Sequence, residues 1–440
     1  MTSRSHPPTH EAWPLFSYGF RPFFLLGSIY AGLAILVWLP LFYGEITLSS
    51  VLAPRDWHVH EMLFGYLPAV ITGFLFTAIP NWTGRLPIRG KPLMGLVAVW
   101  LAGRVCVTFS AHSGWLAAML VDASFLLLVA SAASREILAG SNWRNMKVVI
   151  LLSLLLVANA AFHLEAHFEG TAEVSIRLGI AVIVLLIALI GGRIVPSFTR
   201  NWLVRENPGR LPAPFGRFDI VAIAVGALAL LSWIVSPAGI LSAGILAVAG
   251  LLHLVRLARC AGDRTTREPL LLILHIGYAF VPFGFLLNAA AALGQFPTSG
   301  GIHAWMAGAA GVMTLAVMSR ATLGHTGQQL TASLVTQAIY AAVVLAAISR
   351  ICAVLEPAYS MSLLHIAAFS WAAAFFCLRA CVRASFDRQP QASAIGAKRC
   401  SLTLRLAQPQ VGAYGKNNQK MWQNRRLKSR LRSIPRRPQR

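Results

Sequence analysis

Apolar residues in this chain fall in long, nearly unbroken runs, separated by short polar segments. About 20 mostly apolar residues carry a helix across a bilayer. Twelve runs of that length stand near 22–43, 61–80, 93–111, 114–133, 148–168, 175–195, 219–236, 238–257, 270–294, 303–323, 333–355 and 360–381. The expected fold is all-α, a polytopic membrane bundle of about twelve transmembrane helices. Residues 1–21, with His6, Pro7, Pro8 and Trp13, are a polar lead-in expected to be cytoplasmic, and no cleavable signal peptide is expected before the first run. Residues 382–440 follow the last run without apolar periodicity and read as a basic, disordered tail.

Composition narrows the class further. Hydrophobic residues make up 56% of the chain and charged ones 12%, against about 25% charged in a soluble domain. Too few polar groups remain to cover a water-facing surface, which excludes a soluble enzyme, a secreted disulfide scaffold and a disordered protein. Six cysteines (Cys106, Cys260, Cys352, Cys377, Cys381, Cys400) make no CxxC pair and no zinc spacing, so they read as small apolar residues. The net charge of +23 suggests nucleic acid until its distribution is considered. Residues 379–440 hold sixteen Lys/Arg and one Asp, a tail charge of +15, which leaves +8 for the rest. No nucleic-acid partner is expected. The tail reads as an out-of-frame or otherwise aberrant C-terminus, the alternative being a basic arm on anionic lipid at about 1 kcal/mol per residue.

Loop charge sets the expected orientation. Lys and Arg gather after the even-numbered runs, at Arg85, Arg89, Lys91, Arg135, Arg144, Lys147, Arg193, Arg200, Arg205, Arg210, Arg217, Arg256, Arg259, Arg264, Arg267 and Arg320. After the odd-numbered runs stand only Arg55 and Arg177. The positive-inside rule then puts both termini in the cytoplasm. An echo also runs through the chain. Pro80-Asn81-Trp82-Thr83-Gly84-Arg85 closes the second run, Pro196 to Trp202 the sixth, and Met318-Ser319-Arg320 falls near the same point of the tenth. Three four-helix units are one reading, chance the other.

Twelve histidines need a reason at membrane depth. With this orientation His58, His60, His112, His163, His167, His303 and His365 lie on the outer side, His253, His275 and His325 toward the cytoplasm, and His6 and His10 in the lead-in. Trp57-His58-Val59-His60-Glu61-Met62 is the sharpest motif. Two positions apart, its histidines point about 200° apart on a regular helix. They share one metal only if the segment is irregular; otherwise each serves its own partner. Glu61 can orient a histidine; the plainer reading is a polar helix entrance. Asn159, His163 and His167 share one face of the fifth run, where His163 is the candidate ligand and His167 an interfacial residue. His275 is a candidate haem axial ligand or a hydrogen-bond partner between helices. His303, followed by Gly308, Gly311 and several alanines, is a candidate ligand where small residues admit either close packing or a flat cofactor. His112, His253 and His365 read as helix-end or interior residues.

Charges within the runs complete the candidates. Arg104 and Asp122 are expected to form a buried pair across a short hairpin, or to mark a proton route. Arg193, Arg200 and Arg320 stand where they can snorkel to headgroups or, with Arg85 and His325, hold haem propionates by charge-assisted hydrogen bonds. GxxxxGK[ST], CxxCH, HExxH and GxSxG are all absent.

Together these motifs resemble the NnrS family, haem- and copper-containing membrane proteins of the bacterial nitric-oxide response. The matching stretches are Phe16–Phe24, Trp57–Met62, Gly73–Arg85, His275-Ile276-Gly277-Tyr278 and His303–Gly327, in order between about residues 12 and 376. The resemblance implies haem and copper, a denitrifying or nitrosatively stressed host, and relief of nitric-oxide toxicity. It implies nitric oxide as the small-molecule ligand and lipid as the surrounding partner. The absence of CxxCH favours a non-covalent, b-type haem. His58, His60, His163, His275 and His303 form the expected metal-binding set. The architecture is similar to haem–copper oxidases by analogy only, since their ligand motifs are not matched. A copper or metabolite transporter and a non-catalytic sensor are the rival classes.

Overall fold

The computed structural model describes residues 14–386, with side chains to residue 380. The lead-in before Pro14 and most of the basic tail lie outside the described residues. Twelve helices are long and apolar enough to span a membrane, and no strand occurs among the described residues. They are α1 (Phe20–Phe42), α2 (Pro54–Thr83), α3 (Lys91–Thr108), α4 (Trp115–Ala139), α5 (Trp143–Phe168), α6 (Val174–Glu206), α7 (Arg217–Val235), α8 (Ile240–Arg264), α9 (Pro269–Ala292), α10 (Thr298–His325), α11 (Leu334–Cys352) and α12 (Pro357–Ala380). The chain belongs to the multi-pass membrane proteins. Its ends differ in charge, one arginine-rich after the even helices and one arginine-poor after the odd ones.

Local chemistry fixes the helix ends. Pro54 and Pro269 start α2 and α9, where a missing N–H costs nothing. Glu165, near the end of α5, accepts from the backbone N–H groups of Glu173, Val174 and Ser175 at 2.7–2.8 Å. It thereby caps α6 from its neighbour. Gly84, at φ +70°, ends α2 in the left-handed conformation that glycine adopts without strain.

The helices facing lipid carry exposed leucines and valines, whereas α2, α6 and α10 are the most enclosed. Each of these three contains a π-helical turn: Glu61–Tyr66, Ile187–Gly191 and Ala304–Gly311. Such a turn inserts a residue and disturbs the regular ladder, so its carbonyls need other donors. Trp100 Nε1 of α3 donates to the Gly65 carbonyl at 2.9 Å. Arg256 of α8 donates to the Ala188 carbonyl at 2.8 Å. In α10 the Thr314 hydroxyl serves Ala310 at 2.7 Å. Recurrence in every fourth helix agrees with a three-part layout, although the turns fall at unequal depths.

Candidate functional site

Two adjoining features occupy the arginine-poor half, on opposite faces of α2. The first is a buried polar cluster. His60, Glu61, Arg104, Asp122, Asn159 and His163 are all at most 5% exposed. They come from α2 to α5, and Tyr30 of α1 joins them. His60 Nδ1 lies 2.9 Å from Glu61 Oε1. Arg104 donates to Glu61 Oε2 at 2.8 Å and, through its other terminal nitrogen, to Asp122. The Tyr30 hydroxyl donates to Glu61, and Asn159 Nδ2 to Asp122 Oδ2 at 2.7 Å. Room for the guanidinium comes from Gly65, where a Cβ would stand 2.4 Å from Arg104 Nη1.

Within this cluster three metal-capable atoms converge. His60 Nε2 and His163 Nε2 lie 3.2 and 3.5 Å from Asp122 Oδ2, and one donor atom from each residue falls within 4.8 Å of the others. Two imidazoles and a carboxylate oxygen suit copper or zinc. With its Nδ1–H directed at Glu61, His60 is left with the Nε2 lone pair turned toward Asp122, the carboxylate–histidine arrangement that orients metal ligands.

The second feature is a cavity of about 680 Å³ on the other face of α2, a size that accommodates a cofactor. His58 and His303 line it together with Trp38, Met62, Met306 and Arg350. His58 stacks on Trp38 with ring centroids 4.4 Å apart, and its buried Nδ1 has no hydrogen-bond partner. His303 Nδ1 donates to the Ser299 carbonyl at 2.6 Å, which leaves Nε2 with its lone pair. Arg55 and Arg177 also line the cavity and share Glu173, at 2.7 and 3.7 Å. Arg350, set in apolar α11, makes no hydrogen bond or ion pair among the described residues.

The NnrS protein family model matches residues 14–384, nearly the whole chain. The chain belongs to the NnrS family. That membership supports a role in the nitric-oxide response. No curated protein matches the chain.

Read as an NnrS protein, the chain sorts its candidate residues into separate places. Residues 54–60 are regular α-helix and the π turn begins only at Glu61, so His58 and His60 face apart and serve the cavity and the cluster respectively. His163 joins His60. His303 joins His58. His275 reaches neither: its Nε2 lies 2.9 Å from the Thr199 hydroxyl, and Gly262 packs against its Nδ1. His167 stacks on Trp115 at 4.2 Å, and His253 on Phe285 at 5.5 Å.

The arginines expected to hold propionates do not line the cavity. Arg85 pairs with Glu136, Arg193 donates to Asn145 at 3.2 Å, and Arg320 lies over Phe198 at 4.5 Å. Arg200 is exposed, as is His325, which packs on Phe20. All five residues stand at the arginine-rich end of their helices. The cavity instead takes Arg55, Arg177 and Arg350. Sequence reading missed Arg350, although a lone arginine within an apolar run at the charge-poor end is a visible signal. Tyr30 carried no signal, since a tyrosine in an apolar run is unremarkable until Glu61 is found beside it.

Proposed function

We propose that this protein binds a non-covalent, b-type haem in the cavity and copper in the polar cluster, and that it relieves nitric-oxide stress by handling nitric oxide there. We place it in the bacterial inner membrane with both termini cytoplasmic, surrounded by lipid and taking nitric oxide as its ligand. One observation carries the haem reading. An apolar cavity between α2 and α10 holds two imidazoles and a guanidinium, that of Arg350, without a hydrogen-bond or ion-pair partner among the described residues. A flat, largely apolar group bearing carboxylates suits those three features at once.

The residues divide the work. His303, its tautomer set by Ser299, would hold the iron through its free Nε2. His58, held flat against Trp38, would offer a second nitrogen to the same group. Arg350 binds a carboxylate, with Arg55 and Arg177 at the rim. Trp38, Met62 and Met306 exclude water. Bound haem supplies an iron that takes nitric oxide and changes oxidation state. On the other face of α2, Glu61 orients His60, and His163 and Asp122 complete the donor set for copper. His58, Val59 and His60 place the two sites within one turn of the same helix.

The test is the absorption spectrum of detergent-purified protein, oxidised and reduced, with iron and copper measured on the same sample. A Soret band that shifts with nitric oxide is expected. His303→Ala should abolish it, and His58→Ala should keep haem but shift the band. Colourless, iron-free protein from haem-replete cells would overturn this reading in favour of a transporter. Haem and nitric-oxide binding with no loss of nitric oxide under reducing conditions would indicate a sensor.

A further inference from the structure

Three charged side chains meet where the cavity opens. Arg55, Glu173 and Arg177 all line it, and the Arg55 and Glu173 side chains are 53% and 52% exposed, which makes this its mouth. Both arginines are anchored without help from Glu173. Arg55 donates through Nη2 to the Ala172 carbonyl at 2.8 Å, and its Nε lies 3.3 Å from Asp56 Oδ1. Asp56 in turn accepts from the Ala172 N–H at 3.1 Å. Arg177 donates through Nε to the Ile234 carbonyl, near the end of α7, at 3.3 Å. Each arginine then turns its Nη1 to the same carboxylate. Arg55 Nη1 lies 2.7 Å from Glu173 Oε1, and Arg177 Nη1 lies 3.7 Å from Oε2. Two guanidiniums pinned to backbone carbonyls, with one oxygen apiece, form a clamp suited to a carboxylate.

Glu173 itself is held loosely. It stands just before α6, where its backbone N–H is bonded to Glu165 at 2.8 Å while its side chain stays half exposed. Ion pairs this exposed add little stability. A rotamer change takes the carboxylate out to water, and the backbone and both arginines keep their other partners. We infer that Glu173 is a resident competitor at the mouth, and that its carboxylate and that of an apolar ligand seated in the cavity take the Arg55–Arg177 clamp by turns. The exchange puts one carboxylate where another stood, so neither arginine is left unpaired in either arrangement. Glu173 thereby sets which ligands the mouth favours. An apolar body with a free carboxylate gains both arginines, and the same body without one gains neither.

This inference deepens the haem reading of the cavity and rests on it. The probes are protoporphyrin IX, which has the apolar body and carboxylates but no iron, and its dimethyl ester, which has no free carboxylate. Full-length, detergent-purified protein is titrated with each. Binding is read as energy transfer to the porphyrin from Trp38, Trp233 and Trp371, which line the cavity. The wild type should prefer the acid to the ester. Glu173→Gln changes only a half-exposed side chain and leaves its backbone in place. It should tighten the acid by about threefold to fivefold, the worth of an exposed ion pair, and leave the ester unmoved. Arg177→Gln should weaken the acid by about tenfold, as loss of a charge-assisted bond does, again without moving the ester.

Equal binding of acid and ester by the wild type would overturn the inference while leaving the haem reading intact. So would an acid affinity that Glu173→Gln leaves unchanged or weakens. A protein that takes up neither porphyrin would sink the haem reading, and this inference with it.

Discussion

His58 and His60 sit two positions apart on a regular helical turn, and that offset sends one imidazole to each site. Their separation follows from helix geometry and was legible in the sequence. So was the Arg104–Asp122 encounter, because two opposite charges in adjacent apolar runs must meet or be hydrated. What the sequence left hidden is that Arg104 serves two carboxylates, one from the helix before its own and one from the helix after it. Arg104→Met removes the cation both depend on and leaves a buried charge of −2, an expected loss of about 3–5 kcal/mol. The thermal midpoint of purified protein in detergent should fall accordingly. Arg104→Lys keeps the charge but lacks the fork that reaches Glu61 and Asp122 together, so its midpoint should lie between the two. An unchanged midpoint for Arg104→Met would mean that the cluster is hydrated.

At the scale of the element, the π turn of α2 joins two differently phased segments. At its lower end Tyr66 donates to the Thr314 hydroxyl of α10 at 2.7 Å; above it, His58 and His60 meet their sites. One inserted residue rotates the upper segment by about 100° relative to an uninterrupted α-helix. Deleting Phe64 should restore the regular ladder and swing both histidines off their targets. The expected result is a protein with unchanged far-ultraviolet helicity that has lost the Soret band and the bound copper together. Retention of either signal would show that its site does not depend on the register of this turn. The apolar runs located the twelve helices but not these turns, since an inserted residue in a uniformly apolar stretch leaves the hydrophobic pattern unaltered. For the same reason the polar start of α2, with Arg55, Asp56 and His58, fell before the expected beginning of the run. Its proline start and the burial of Trp57 against α1, α3 and α12 carry the helix back to Pro54.

Over the whole molecule, charge and chemistry divide in the same direction. The cavity and the cluster both lie in the arginine-poor half, while the arginines expected to hold propionates stand at the other end. If the positive-inside rule governs this chain, both sites lie toward the outer face, the cluster enclosed within the bundle. Ser113 and Lys91, both exposed, flank α3 at opposite ends and report on this directly. In a background with the native cysteines replaced, Ser113→Cys should react with a membrane-impermeant maleimide on intact spheroplasts. Lys91→Cys should react only after lysis. The reverse pattern would turn the cavity toward the cytoplasm, and with it the rim arginines Arg55 and Arg177. In that case the two positive charges of the odd loops, Arg55 and Arg177, would be explained by the cavity rather than by topology, because Glu173 holds both of them there whichever way the protein faces.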